Sequence, residues 1–212
     1  MLTKWWKIFL NGIFAGVFIA IAGTVFLSVP DPTVGAVMFG FGLQGILLAD
    51  FKLYTGAIGY LAVQGRNAFA YLVDLTAIWA GNLAGCFAVG WLLRQTRILA
   101  GISERAGRMC DAKLADGPVS ILILSFFCGI LMFTAVDGFK KEQLPAVART
   151  AMVFLCVAVF ILCGFEHCVA NMYYFSVADA WSWHTLGWVL LMTLGNSLGG
   201  MLIPACAKLR KL

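Results

Sequence analysis

The stretch GFEHCVANM, from Gly164 to Met172, places Glu166 and His167 side by side at the end of the apolar run RTAMVFLCVAVFILC. A carboxylate can hold a cation or accept hydrogen bonds, and an imidazole can take or give a proton near neutral pH. Ionisable side chains inside a hydrophobic segment are costly and usually serve a function. The stretch therefore predicts a polar pathway, or the support of one, formed by Glu166, His167 and Asn171.

A second interpretation exists for each of these side chains, which is a polar cluster that only stabilises a broken helix. A glutamate beside a chain break is well placed to accept backbone N–H bonds. Both roles stay open for Glu166 and Asn171, whereas we expect His167 to lie on the pathway itself.

The composition of the chain indicates an integral membrane protein. Of its 212 residues, 62% are hydrophobic and only 12% are charged, whereas a soluble domain is about half apolar and about a quarter charged. The first apolar run, IFLNGIFAGVFIAIAGTVFLSV, is too long for the apolar part of a signal peptide, so we expect a retained span. Seven cysteines lack the spacing of a zinc site or a redox pair, and we predict neither a metal nor a cofactor.

Hydropathy divides the chain into six apolar segments, at about 6–29, 35–64, 67–93, 117–137, 147–178 and 184–207. Polar residues interrupt the second segment at DFKLYTGAIG and the fifth at GFEHCVANM. Non-helical backbone at membrane depth is tolerated only inside protein or along a wet cavity. The two interruptions therefore predict broken helices next to a pathway.

Two glycine motifs suggest an internal repeat. GNLAG and GNSLGG lie 114 residues apart, and the polar breaks at Thr55 and His167 lie 112 apart. Because three is odd, a three-span unit that is repeated once must be inverted in its second copy. We predict one all-α transmembrane domain over residues 1–212. Its repeats would span about 6–93 and 117–207, joined by an extracytoplasmic loop at about 94–116.

Basic residues predict the orientation. With six alternating spans, one side of the membrane receives Lys4, Lys7, Arg66, Lys140, Lys141, Arg149, Lys208, Arg210 and Lys211. The positive-inside rule then places both termini in the cytoplasm. Only the segment Arg94–Lys113 disagrees, because it carries five basic residues to the outside. The net charge of +5 thus reflects topology, and we predict no nucleic-acid partner.

The interrupted spans resemble those of the formate/nitrite transporters. GFEHCVANM is similar to that family's fifth-span signature, and MFGFGLQGILLADFKLYTGAIG is similar to its broken second span. NGIFAGVFIAIAG, GNLAG and GNSLGG resemble its first, third and sixth spans, so the likeness covers nearly the whole chain. The resemblance implies a homopentamer of six-span, aquaporin-like protomers in a prokaryotic plasma membrane.

The resemblance also implies roles for particular residues. Thr55 would hydrogen-bond the central His167, and Lys113, expected at the start of the fourth span, would draw anions towards that histidine. The implied constrictions are formed by Phe39 and Phe160 on the outer side and by Leu43, Leu53 and Tyr54 on the inner side.

Three residues depart from the family pattern. Lys52 stands where an acidic residue is frequent, and Ala57 and Gly129 stand where asparagines are expected. Lys52 has three possible roles: it could pair with Asp50, extend its long stem to the cytoplasmic mouth, or face an inner vestibule as an anion attractor.

The function that we predict is a channel or proton-coupled transporter for small monovalent anions of weak acids, with formate favoured over nitrite and hydrosulfide. An anion is expensive to place between apolar rings and the neutral acid is cheaper, so the predicted partners are a small anion, protons and membrane lipid. His167 could supply the proton or stay neutral and only hydrogen-bond the substrate. An aquaporin-like pore for neutral solutes and a non-transporting membrane subunit are the alternatives. An enzyme is disfavoured because a single pathway histidine without a metal-ligand cluster offers little for catalysis.

Overall fold

The computed structural model describes residues 2–210, and all of the regular structure in that range is helical. Lys211, which the sequence grouped with the cytoplasmic basic residues, lies outside the described residues. The helices are α1 (Leu2–Ser28), α2 (Pro32–Leu48), α3 (Tyr54–Ala57, continued by a 3₁₀ turn over Ile58–Val63), α4 (Ala68–Leu93), α5 (Ile98–Leu114), α6 (Pro118–Phe139), α7 (Ala146–Leu162), α8 (Cys168–Val177) and α9 (Trp183–Leu209).

Four helical stretches are long and apolar enough to cross a membrane: Lys4–Ser28, Gly65–Leu93, Pro118–Phe139 and Trp183–Leu209. They coincide with four of the six predicted segments. The other two predicted segments are each divided into two shorter helices, α2 and α3 in one case and α7 and α8 in the other. The chain therefore breaks inside both of the segments that carry polar interruptions.

The two breaks begin with the same kind of helix-ending turn. Asp50 follows α2 with a φ of +53°, and Gly164 follows α7 with a φ of +68°. In each break the next residue donates its N–H to a carbonyl five positions back, over 3.0 Å and 2.9 Å. A left-handed residue with such a bond is a common way to end a helix. Glycine adopts this conformation freely and aspartate tolerates it.

Glycines allow the long helices to approach each other closely. A Cβ atom on Gly16 would collide with the carbonyl oxygen of Asn82, and a Cβ atom on Gly129 would collide with the carbonyl oxygen of Asn196. No larger residue fits at either position without moving the backbone. The departure at Gly129, where an asparagine was expected, is thus accommodated by tight packing of α6 against α9.

The segment that was predicted as an extracytoplasmic loop, 94–116, is instead mostly helix α5. Its buried residues, Ile102, Ala106 and Cys110, recur every four positions and so form one apolar stripe. The helix was missed in the sequence because the charged residues between these positions lower the mean hydropathy of the segment, while the helical period remains; the position of the segment outside the cytoplasm stays a prediction.

Polar contacts fix α5 in place. The guanidinium of Arg94, at the end of α4 in the segment that leads into α5, donates two 2.5 Å hydrogen bonds to the carboxylate of Asp179, just after α8. Arg105 donates to the carbonyl of Val29 over 2.6 Å, and thereby ties α5 to the end of α1. These contacts set the position of Lys113, which lies in the last turn of α5 and not at the start of α6.

Candidate functional site

A buried asparagine holds the first break. The amide nitrogen Nδ2 of Asn82, on α4, donates to the carbonyls of Gly12 and Lys52 over 2.9 Å and 3.0 Å. Its Oδ1 accepts the backbone N–H of Tyr54 over 2.9 Å. This one side chain therefore satisfies a backbone group on each side of the break, which would otherwise be left without a partner at membrane depth.

A second buried asparagine holds the second break in the same way. Nδ2 of Asn196, on α9, donates to the carbonyls of Ser125 and Glu166 over 2.7 Å and 2.8 Å. Its Oδ1 accepts the backbone N–H of Cys168 over 2.9 Å. Sequence reasoning missed the role of Asn82 and Asn196, although both stand inside the two glycine motifs that it compared.

These hydrogen bonds define which residues of the two breaks correspond. Lys52 and Glu166 lie 114 residues apart and offer equivalent carbonyls to the two asparagines. The same offset pairs Leu53 with His167. Matching the breaks through Thr55 and His167, as the sequence suggested, is therefore off by two positions.

Thr55 and His167 nevertheless come into direct contact. The hydroxyl oxygen Oγ1 of Thr55 lies 2.8 Å from Nε2 of His167, and both residues are buried. The other ring nitrogen, Nδ1, accepts the backbone N–H of Ala170 over 3.0 Å, so that His167 caps the start of α8.

This arrangement selects one form of the imidazole ring. Because Nδ1 of His167 accepts a hydrogen bond, it carries no hydrogen, and the neutral ring must carry its hydrogen on Nε2. Nε2 then donates to the hydroxyl oxygen of Thr55. The hydroxyl hydrogen of Thr55 is left to donate elsewhere, and the described residues offer it no other hydrogen bond.

Aromatic rings enclose His167. Phe160 stacks on the imidazole with ring centroids 5.5 Å apart and planes inclined at 27°. Phe39 meets Phe160 edge to face, with centroids 5.9 Å apart. Leu43 lies one helical turn after Phe39 on α2 and is also buried. The structure thus brings together Phe39, Phe160 and His167, and an outer constriction formed by the two phenylalanines stays a prediction.

Leu53 and Tyr54, which were expected in the inner constriction, have different surroundings. Leu53 borders a cavity on the side of the chain termini. The hydroxyl of Tyr54 instead lies 2.9 Å from Oγ of Ser197 on α9, and Tyr54 is not among the residues that line this cavity. Leu53 thus borders the cavity and Tyr54 does not, and a part of either residue in an inner constriction stays a prediction.

Glu166 is the centre of an ion pair. Nζ of Lys113 lies 2.8 Å and 2.7 Å from the two carboxylate oxygens of Glu166, and the two side chains are only 14% and 6% exposed. Nδ2 of Asn171 donates to Oε2 of Glu166 over 2.6 Å. The carboxylate thus binds a cation and an amide, and not the backbone N–H groups that were considered from the sequence.

The pairing of Lys113 changes its expected electrostatic effect. A cation in contact with a carboxylate forms a dipole, whose field decays faster with distance than that of a single charge. The lysine that was expected to attract anions is therefore largely neutralised by Glu166. Its visible structural effect is to join α5 to the second break.

Lys52 pairs with Asp50, as one of its three expected roles required, and its action as an anion attractor stays a prediction. Its Nζ lies 2.8 Å from Oδ1 of Asp50, and its side chain, 40% exposed, also lines the cavity next to Leu53. The cavity has a volume of about 510 Å³. Within residues 2–210, no three His, Cys, Asp or Glu side chains are grouped closely enough to hold a metal ion.

Comparison with known proteins finds a profile described as "Formate/nitrite transporter" that matches residues 1–209. The nitrite transporter NirC of Salmonella typhimurium is 26% identical, over 80% of this chain and 67% of its own length. A probable formate transporter of Methanothermobacter thermautotrophicus is 27% identical, over 81% and 72%. The formate channel FocB of Escherichia coli is 25% identical, over 82% and 67%.

Solved structures share the fold. A pentameric formate channel with formate bound superposes with a TM-score of 0.85 at 21% identity, over 99% of this chain and 98% of that one. An ion channel described as belonging to the FNT family superposes with a TM-score of 0.80 at 23% identity, over 100% and 90%. At these identities the likeness establishes the all-helical channel fold.

Proposed function

The chain belongs to the formate/nitrite transporter family, and we propose that it carries small monovalent anions of weak acids through a pore in its own protomer. It is an integral membrane protein, and the relatives and structural neighbours named above are transporters and channels, not enzymes. The observation that carries the proposal is the buried Thr55–His167 hydrogen bond under the ring of Phe160.

The apolar walls favour passage of the neutral acid. Moving an unpaired charge from water into a site walled by Phe39, Leu43 and Phe160 costs several kcal/mol or more. Moving the neutral acid into the same site costs much less. Inside these walls the hydroxyl hydrogen of Thr55 is a free donor, and it can hydrogen-bond a carboxylate, a nitrite or the corresponding acid. Donation from Nε2 of His167 to Thr55 strengthens that donor by polarising the hydroxyl.

The source of the proton follows from the form of the ring. A neutral His167 cannot give away the hydrogen on Nε2 without becoming an imidazolate, so it could donate a proton only after Nδ1 is protonated. That step would break the bond from Ala170 and place a positive charge at the start of α8, where the helix dipole opposes it. We therefore propose that water on either side supplies the proton, and that His167 orients Thr55.

The architecture that fits this function has six membrane crossings in an inverted three-plus-three repeat. In this arrangement α2 with α3, and α7 with α8, form the two interrupted spans of a single domain over residues 1–212. The equivalent hydrogen bonds of Asn82 and Asn196 support this arrangement. Both termini then lie in the cytoplasm, and the cavity next to Leu53 is the inner vestibule.

Formate is our choice of substrate, and a homopentamer in a prokaryotic plasma membrane is our choice of assembly. The choice of formate follows a probable formate transporter and a formate channel among the relatives, and a structural neighbour described as pentameric with formate bound. Nitrite is the second candidate, because a relative of nearly equal identity is named a nitrite transporter. Hydrosulfide is the third.

Flux through reconstituted vesicles tests the substrate class. We expect formate and nitrite to enter proteoliposomes faster than acetate and lactate, with hydrosulfide measured alongside. Glycerol should remain outside because the site is narrow and favours solutes that can exist both as a weak acid and as its anion. Entry of glycerol without formate would support a neutral-solute pore, and failure of every solute to enter would support a non-transporting membrane protein.

The role of His167 is tested by His167→Ala. This variant should assemble like the parent but lose formate flux or change its dependence on pH, because Thr55 loses its partner. His184→Ala is the matched control, since His184 is exposed at the start of α9, where its ring packs against that of Trp188. An unchanged profile of flux against pH in His167→Ala would reject the assignment.

A further inference from the structure

The inner cavity contains basic groups that lack a carboxylate partner. Its charged lining consists of Asp50, Lys52, Asp74, Lys140, Glu142 and Arg149. Asp50 pairs with Lys52 at 2.8 Å, and Asp74 pairs with Lys4 at 2.7 Å. Among the described residues, Lys140 and Arg149 form no ion pair. Glu142 is the one lining carboxylate that also forms none, and it lies on an exposed loop.

Lys140 is held inside the cavity by an aromatic ring. Its Nζ lies 4.9 Å from the centre of the Tyr60 ring, which also lines the cavity. Burial lowers the pKa of Lys140 below its ordinary value, and the positive charge of Lys52 lowers that pKa further, while the carboxylates of Asp50 and Asp137 partly oppose the shift. The two ammonium groups therefore repel each other across the cavity, and an anion between them would remove that repulsion.

Arg149 adds donors that have no acceptor. One terminal nitrogen, Nη1, donates to the carbonyl of Phe139 over 3.1 Å at the end of α6. Its Nε is buried and has no hydrogen-bond partner. A buried N–H without a partner is destabilising, so an acceptor that reaches this group would relieve the cost.

From these contacts we propose that Lys140, Lys52 and Arg149 form an anion-binding site in the cytoplasmic cavity, immediately inside Leu53, for small monovalent carboxylates such as formate. This inference rests on the proposed function, since it assigns to the same pore an inner station that collects its substrate. Asp50 competes with the anion for Lys52. The anion therefore replaces one carboxylate partner with another and can leave again towards Leu53.

The site gives the pore different affinities on its two sides. On the outer side the corresponding charge, Lys113, is in contact with Glu166 and is largely neutralised. On the inner side Lys140 lines the cavity and, among the described residues, forms no ion pair. A low concentration of cytoplasmic formate is therefore concentrated at the inner constriction, and half-saturation of efflux occurs at lower formate than half-saturation of uptake.

Transport from each side tests the site. In vesicles of known orientation, Lys140→Gln should raise the half-saturating formate concentration on the cytoplasmic side about fivefold at low ionic strength, as expected for the loss of one charge near a wet cavity. The value on the outer side should not change. Added salt should shrink the difference, because screening weakens attraction in an open vestibule.

Matched variants separate this site from general surface charge. Lys141→Gln removes the same charge one residue away, but Lys141 pairs with Asp137 at 3.0 Å and does not line the cavity. Lys140→Arg keeps the charge and should behave like the parent. Equal half-saturation for Lys140→Gln and the parent at low salt, or an equal rise for Lys141→Gln, would overturn the proposal.

A binding measurement decides the proposal even without flux. Reductive methylation of the parent protein, read out by mass spectrometry, should show that sodium formate protects Lys140 more than sodium HEPES of the same ionic strength, while Lys141 is unaffected. If the parent carries no formate but Lys140 is protected, the proposed transport fails and the anion site stands. If formate is carried and Lys140 and Lys141 are labelled alike with both salts, the site fails and the proposed function stands.

Discussion

Asn82 and Asn196 make matching hydrogen bonds at the two chain breaks, although they lie 114 residues apart on different helices. Each amide donates to two carbonyls and accepts one backbone N–H. The breaks create the polar site, because they turn the chain away from helical hydrogen bonding at membrane depth. The two asparagines replace the backbone bonds that are lost there.

Replacing either asparagine should therefore destabilise the protein strongly. Asn82→Ala and Asn196→Ala each leave three backbone groups without this partner, and we expect each to lower the free energy of unfolding by about 3 kcal/mol or more. Thermal unfolding in detergent, followed by the loss of the folded species, measures the effect. Thr76→Ala, at an exposed position on α4, should unfold like the parent. Parent-like unfolding of both asparagine variants would show that the breaks are stabilised by other contacts.

Two substitutions separate the effect of the Thr55 hydroxyl group from the effect of the size of its side chain. Thr55→Val keeps the size of the side chain but removes the hydroxyl that we propose donates to the substrate, and we expect formate flux to fall about tenfold or more. Thr55→Ser restores the hydroxyl and should recover most of the flux. Initial rates in proteoliposomes, normalised to the amount of reconstituted protein, provide the measurement. Equal rates for the Val and Ser variants would mean that the hydroxyl does not contact the substrate.

The Lys113–Glu166 pair predicts a change in salt dependence. In the parent, Glu166 neutralises Lys113, so uptake from the outer side should depend little on ionic strength. Glu166→Gln leaves the cation without its counter-charge, and we expect uptake to become faster at low salt and more sensitive to added salt.

The same substitution carries a cost in stability. Removing one member of a buried ion pair destabilises a protein by about 3–5 kcal/mol, so Glu166→Gln should unfold at a lower temperature than the parent. Adding Lys113→Met to Glu166→Gln removes the unpaired cation, and should recover part of the stability and the weak salt dependence. If the uptake rate does not depend on ionic strength in either Glu166→Gln or the double variant, Glu166 does not act by neutralising Lys113.

We expect Phe160 to set the size limit of the pore. Its ring stacks on His167 and contacts Phe39, so Phe160→Ala should open the site and raise the rates of acetate and lactate relative to formate. A series of carboxylates of increasing size, measured in proteoliposomes, gives the cutoff. Phe69→Ala is the control, because Phe69 is exposed at the start of α4. The same cutoff in Phe160→Ala and the parent would show that another residue sets the limit.

Much of the fold could be predicted from the sequence, because hydropathy and chain breaks are local properties. The six apolar segments agree with the helices to within a few residues, apart from the two interruptions. The polar stretches beginning at Asp50 and Gly164 contain the breaks, which end where α3 and α8 begin. Helix α5 was missed because only three buried residues mark its apolar face, and hydropathy averaged over the segment conceals them.

The candidate site could be predicted only in part. The motif GFEHCVANM identified Glu166 and His167, and the family resemblance suggested the Thr55–His167 contact, which the structure contains. The roles of Asn82 and Asn196 were missed, since a buried asparagine in a glycine motif resembles ordinary helix packing. Only the paired offset of 114 residues signalled that they act alike.

The sequence by itself determined that this chain enters a membrane, where its helices break and to which family it belongs, because each of these depends on residues close together in the chain. The tertiary structure decided which charges remain available. Lys113 meets Glu166 across 53 residues, and Nδ1 of His167 is occupied by Ala170 only because α8 starts there. Lys52 and Lys140 line one cavity because packing brings the break before α3 next to the end of α6. Charge pairing depends on distances that packing sets, and spacing along a chain does not contain them.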